Sequence, residues 1–235
     1  MSDVITVPTP DGDMPAHRWL PPSGTGPGIL LLQEIFGISE YVRARAADLA
    51  KEGYVVLAPE LYWRIPGHGI DESAPDVLER AMSLMGRIDW TTAVADARAA
   101  LDHLRGASEA TGGVGIVGFC FGGGLAFNVA AEDAPDALVS YYGSALPDLL
   151  DLAPRVRAPS LHHFGTADAY LPLETVERVR DAVTWENARV EFELYEGAGH
   201  AFDNPAPMFH HAEASAQAWP RTVEFLAEHV RRSAV

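Results

Sequence analysis

The chain's one cysteine among 235 residues sits in Gly118-Phe119-Cys120-Phe121-Gly122. The pentad follows the apolar run Val114-Gly115-Ile116-Val117 and precedes the helix-like stretch Leu125 to Ala131. A sharp turn from strand to helix crowds the backbone of the residue at its apex, so the positions two before and two after must be small. Both are glycine here. This is the nucleophile-elbow pattern with a thiol in place of a serine hydroxyl, projecting over the sheet edge at the positive end of the following helix. A lone cysteine more commonly fills core as a small apolar residue, and the flanking glycines argue against that use.

A nucleophile needs a base, and the base needs an orienting acid. The apolar run Ser160-Leu161-His162-His163-Phe164 ends in Gly165-Thr166-Ala167-Asp168, which sets a carboxylate on the loop after a strand. Val190 to Tyr195 reads as a further strand leading into Glu196-Gly197-Ala198-Gly199-His200-Ala201-Phe202, a glycine-rich loop carrying a histidine. An imidazole with a pKa near 6.5 can take the thiol proton and return it to a leaving group, while a carboxylate fixes its tautomer. Taken singly, Asp168 is a turn aspartate and His200 a loop histidine. Taken with the elbow, Cys120, Asp168 and His200 follow the order nucleophile, acid, histidine, which belongs to the α/β-hydrolase topology.

The elements that must position these residues alternate between strand and helix, as in a mostly parallel sheet covered on both faces. Expected strands are Ala16 to Leu20, Gly28 to Gln33, Tyr54 to Ala58, Val114 to Val117, Ala137 to Tyr142, Ser160 to Phe164 and Val190 to Tyr195. Expected helices are Tyr41 to Glu52, Thr91 to Leu104, Gly123 to Ala131, Leu173 to Thr184 and one within Phe209 to Arg231, where Pro220 predicts a kink or break. The stretch from Pro21 to Gly28 reads as a surface turn, not a linker. With no internal repeat or low-complexity segment, residues 1–235 are expected to form one domain. The one long irregular segment, Arg64 to Asp76, is expected near the mouth of the site.

Five segments together resemble the dienelactone hydrolase (carboxymethylenebutenolidase) family. They are Gln33-Glu34-Ile35-Phe36-Gly37, Pro59-Glu60-Leu61-Tyr62, Gly118-Phe119-Cys120-Phe121-Gly122-Gly123, Tyr141-Tyr142-Gly143 and Gly199-His200-Ala201-Phe202. The resemblance implies an α/β-hydrolase fold, a Cys120-His200-Asp168 triad, ester or lactone hydrolysis through a thioester, and no cofactor. It also implies that Glu34, emerging from the apolar strand Gly28-Ile29-Leu30-Leu31-Leu32, lies near the thiol and affects its ionisation. The bland alternative is a glutamate bonded to neighbouring backbone amides. By position, the backbone N–H groups of Ile35 and Phe121 are expected to form an oxyanion hole.

The substrate pocket is harder to read. Phe36, Tyr62, Tyr142 and Phe202 are expected there from their family-like motifs, whereas Trp63 and Trp90 are as well explained as core filling. Well-known family members hold the carboxylate of an anionic lactone with two arginines. In this chain the first matching position falls on Leu78, with Arg80 displaced by two residues, and the second is Asn204. Arg80 and Asn204 are therefore carried as substrate-binding candidates, with a weakened preference for anionic lactones expected.

Composition narrows the setting. The net charge of -16 opposes nonspecific binding to nucleic acid or anionic membranes, and no stretch has the length and apolarity of a membrane span or signal peptide. One cysteine excludes an intrachain disulfide framework and fits a reducing cytoplasm. The expected partner is a small-molecule ester or lactone, with oligomeric state open and a monomer as the default. Gly113-Val114-Gly115-Ile116-Val117-Gly118 matches a dinucleotide-binding pattern but lies before and within a strand, where a phosphate loop cannot sit. The adjacent pairs His162-His163 and His210-His211 have the wrong spacing for metal ligation, and no metal is expected. Two alternatives to ester hydrolysis are a catalytically silent ligand-binding protein on the same fold and an acyltransferase using the same triad.

Overall fold

The computed structural model describes residues 2–185 and 187–230. Its apolar runs become strands of a single eight-stranded sheet among the described residues: β1 (Ser2–Thr9), β2 (Gly12–Trp19), β3 (Gly26–Leu32), β4 (Val55–Pro59), β5 (Ala110–Phe119), β6 (Ala137–Tyr141), β7 (Ser160–Gly165) and β8 (Val190–Tyr195). The spatial order is β1-β2-β4-β3-β5-β6-β7-β8. Only the β1–β2 and β2–β4 pairings are antiparallel; β3 to β8 run parallel. Every residue of β3, β4, β6 and β7 is buried, so both faces of the sheet centre are covered, as parallel strands require. The covering helices are α1 (Glu40–Lys51), α2 (Val77–Met85), α3 (Trp90–Gly106), α4 (Phe121–Glu132), α5 (Leu173–Thr184) and α6 (Ala212–His229). No helix among the described residues is long and apolar enough to cross a membrane.

Three sequence expectations change. β1 went unread because it is an edge strand in which only Val7 is buried, so it carries no apolar alternation. α2 follows directly on the irregular segment and was also missed. Of the kink or break expected at Pro220, the break is absent: α6 runs through it, with Ala218 on one side and Thr222, Phe225 and Leu226 on the other all buried. A proline removes one N–H and crowds one carbonyl, and packing on both sides outweighs that loss. Arg231, at the end of the expected helix, lies outside the described residues.

Because β3, β5, β7 and β8 are parallel, their C-terminal ends converge on one edge of the sheet. Glu34 follows β3, Cys120 follows β5, Asp168 follows β7 and His200 follows β8. Residues far apart in the chain thereby meet.

Candidate active site

Cys120 occupies φ 52° and ψ -113°, a conformation rarely adopted by residues with a side chain. Its neighbours explain how it is held. A Cβ on Gly118 would lie 2.0 Å from the Gly122 carbonyl oxygen, and one on Gly122 would lie 2.4 Å from that of Leu32. Only glycine fits at either position. The Cys120 amide donates to Tyr141 O at 3.0 Å, and its carbonyl accepts from the Gly123 and Ser144 amides. Cys120 thus stands at the N-cap position of α4, its side chain making no capping hydrogen bond.

His200 Nε2 lies 3.0 Å from Cys120 Sγ, and His200 Nδ1 lies 2.7 Å from Asp168 Oδ2. The other Asp168 oxygen accepts from the Tyr170 and Leu171 amides at 2.8 and 3.0 Å, which fixes the carboxylate from behind. Burial pushes the His200 pKa down, but the hydrogen bonds and charges of Asp168 and Cys120 prevail and raise it to about 10. That balance favours an imidazolium at His200. The histidine loop is itself tied down by Asp203, which accepts from Arg45 Nε at 2.7 Å, Arg45 Nη2 at 2.6 Å, the Tyr41 hydroxyl at 2.5 Å and the Ser215 hydroxyl at 2.6 Å. Nothing in the sequence reading singled out Tyr41, Arg45 or Asp203. An aspartate three residues after the histidine was the only available signal.

Glu34 is 1% exposed. Its Oε2 accepts from Asn204 Nδ2 at 2.9 Å, while Oε1 is buried without a hydrogen-bond partner. Burial raises its pKa to about 7, against the smaller opposing effects of Asn204 and His200. The backbone-bonded alternative for this side chain does not hold, since its partner is the Asn204 amide. Among the described residues no backbone carbonyl accepts from the Ile35 or Phe121 amide.

Glu34, Ile35, Cys120, Phe121 and His200 open onto a cavity of about 430 Å³. Its wall is apolar: Phe36, Leu78, Met82, Met85, Ile88 and Trp90, with Phe209 and the exposed Tyr170 alongside. Of the substrate-binding candidates only Phe36 lines this cavity. Tyr62 is buried behind it, its hydroxyl donating to Ile35 O at 2.7 Å, so it supports the loop that carries the Ile35 amide. Tyr142 and Phe202 are fully buried against one another beneath His200, with Tyr142 at 5.3 Å from its ring. Asn204 is occupied by Glu34. Arg80 is exposed and turned away, donating to Gly67 O and Gly69 O at 2.8 and 3.0 Å.

The reason for the Arg80 outcome is helical phase. Two residues along a helix are about 200° around it, so Leu78 facing the cavity forces Arg80 to the far side. The same phase brings in Met82 and Met85, four and seven residues after Leu78, while Ala81 and Leu84 are buried in the protein. That signal was present in the sequence but belonged to a helix not recognised there. Trp90, set aside as core, lines the cavity at the start of α3, and the segment 64–76 contributes nothing to the wall. His162 and His163 face opposite sides of β7, stacking on Phe192 and on Tyr195 respectively, and burial lowers both pKa values, that of His162 to about 4.

A mostly parallel sheet with a strained elbow after its fifth strand, and an acid and a histidine after later strands, is the architecture of the α/β-hydrolase class. Within that class the chain belongs to the dienelactone hydrolase family, whose model matches residues 14–230, and it is a hydrolase of that family. It is 36% identical to a carboxymethylenebutenolidase of Pseudomonas sp. (strain P51), over 92% of this chain and 90% of that one. It is 35% identical to the carboxymethylenebutenolidase of Pseudomonas putida, over 88% of each. A crystal structure from Klebsiella pneumoniae subsp. pneumoniae MGH 78578, assigned to the dienelactone hydrolases, superposes with a TM-score of 0.84 at 30% identity, covering 97% of this chain and 98% of that one.

Proposed function

We propose that the chain hydrolyses small carboxylic esters or lactones by acyl transfer through Cys120. The observation that carries this reading is the unbroken line from Sγ through the His200 ring to Asp168, opening on an apolar cavity. His200 Nε2 takes the thiol proton and Sγ attacks the carbonyl carbon. The oxyanion is held by the Ile35 and Phe121 amides, which lack backbone acceptors of their own. Collapse breaks the ester C–O bond, the leaving alkoxide takes the proton from His200, and the acyl group remains as a thioester on Sγ. Water then gives a proton to His200 and attacks the thioester, and the S–C bond breaks to free the acid. His200 returns the proton to sulfur. Asp168 holds the ring in the tautomer this requires.

Glu34 acts on this cycle through charge. Ionised, it shares the cavity with the thiol and opposes a thiolate; protonated, it does not. A cytoplasmic setting suits the enzyme, since its function depends on keeping a lone thiol reduced. Incubation with p-nitrophenyl acetate followed by acid quench and mass spectrometry tests the reading. An acetyl group on Cys120 of the native protein and none on Cys120→Ala is expected, and turnover undiminished in Cys120→Ala would refute it.

A further inference from the structure

We propose that this cavity selects uncharged, largely apolar esters or lactones, and that the Leu78, Met82 and Met85 stripe of α2 is the surface that recognises the substrate's hydrocarbon part. The proposal rests on the hydrolase reading above and narrows its substrate class. Among the described residues no lysine or arginine lines the cavity. Arg80, within the span of the α2 stripe, is on the opposite side of the helix and bonded to two loop carbonyls, and Arg87 does not line the cavity. Asn204 is neutral, and its amide is engaged by Glu34. Among the described residues the one cationic side chain lining the cavity is His200, beside the nucleophile, so a carboxylate carried against the Leu78, Met82 and Met85 stripe would meet no partner there, which is costly.

Glu34 reinforces the exclusion. The residue borders the cavity, and its buried Oε1 has no hydrogen-bond partner to offset a negative charge. When ionised, it repels a carboxylate held nearby. The α2 stripe supplies the complementary feature. Leu78, Met82 and Met85 stand one above another on one helix face, and methionine's unbranched thioether adapts to differently shaped hydrocarbon. Met82 is 43% exposed and Tyr170 60% exposed, so the apolar surface continues outward to the mouth.

The test compares p-nitrophenyl pentanoate with mono-p-nitrophenyl glutarate, which differ in carrying a methyl group or a carboxylate at the same end of the acyl chain. The pentanoate is expected to have at least about a tenfold higher kcat/KM, the scale of one lost hydrogen bond to a charged group. This ratio should persist at high salt, where the chain's net charge of -16 is screened. Met82→Arg, at an exposed position, should move the ratio toward the glutarate by about tenfold, and Arg80→Ala should leave it unchanged. A native preference for the glutarate, a ratio that collapses to unity in salt, or a neutral preference that rises in Arg80→Ala would overturn the proposal. Protection of Cys120 from iodoacetamide by pentanamide, compared with its carboxylate analogue glutaramate, reads the same selectivity without turnover. Selective protection by pentanamide without hydrolysis of either ester would retain the charge selection and refute the hydrolase reading, whereas equal or stronger protection by glutaramate would refute the selection itself.

Discussion

Replacing Glu34 by glutamine tests the buried carboxyl directly, because the amide keeps its shape and removes its titration. Burial raises the Glu34 pKa from 4.5 to about 7 in the folded protein. Between those two values the unfolded chain has released the proton and the native chain has kept it, so the native state binds more protons and stability falls as pH rises. Below about 4.5 the group is neutral in both states and costs nothing. Above 7 the full difference applies, about 3 kcal/mol at 1.36 kcal/mol per unit. Glu34→Gln escapes this loss. Its stability relative to the native protein should therefore climb between pH 4.5 and 7 and then level off, with a total gain in Tm of about 6–12 °C for a chain of this size. The assay is thermal unfolding of both proteins from pH 4.5 to 8.5, paired with the rate of Cys120 alkylation. Alkylation above pH 7 should be faster in the variant, which lacks the negative charge opposing the thiolate. A Tm difference that stays constant across the range would show that Glu34 titrates normally, and the argument from its unpartnered oxygen would fail.

Iodoacetamide at one equivalent should label Cys120 and abolish ester turnover, and Cys120→Ser should also lose most activity because a hydroxyl needs a stronger base than a site tuned to a thiol supplies; a serine variant of native activity would refute the tuning. Asp168→Asn removes the partner that, after burial, dominates the raised His200 pKa. A drop in kcat/KM of roughly tenfold to a hundredfold or more and a higher midpoint for Cys120 alkylation are expected, whereas retention within a factor of three would remove Asp168 from the mechanism. Asp203→Asn removes the bidentate partner of the half-buried Arg45, which keeps only the Asp48 carboxylate at 3.6 Å, and loosens the loop carrying His200 and Asn204. Tm and kcat/KM should fall together, and a lower Tm with an unchanged pH profile of alkylation would confine Asp203 to stability.

Local steric rules made part of this protein readable from the chain alone. The elbow was legible because its glycine spacing lies within five residues: Gly118 is demanded by the Gly122 carbonyl, 2.0 Å from where a Cβ would stand, although the demand on Gly122 comes from Leu32 on the neighbouring strand. Asp168 and His200 were legible because each sits on a loop just past a strongly apolar strand, and parallel strands bring such loops to one edge. The buried central strands announced themselves by hydrophobicity, while the edge strand β1, with one buried residue, did not.

Everything that depends on which way a side chain faces was decided by tertiary structure. Tyr62 and Tyr142 sit in motifs typical of the site yet lie behind it, holding the Ile35 loop and flooring His200, whereas Trp90, with no motif around it, lines the cavity. Arg80 and Leu78 differ by two positions in the sequence and by slightly more than a half-turn around the helix once α2 forms, so the presence of an arginine said nothing about a cation in the cavity. Asn204 and Asp203 found their partners, Glu34 and Arg45, across separations of 170 and 158 residues. Residue type and short spacing determine backbone turns and burial because those are local free energies. The charge and shape of the cavity are set by helix phase and long-range pairing, which exist only after the chain has packed.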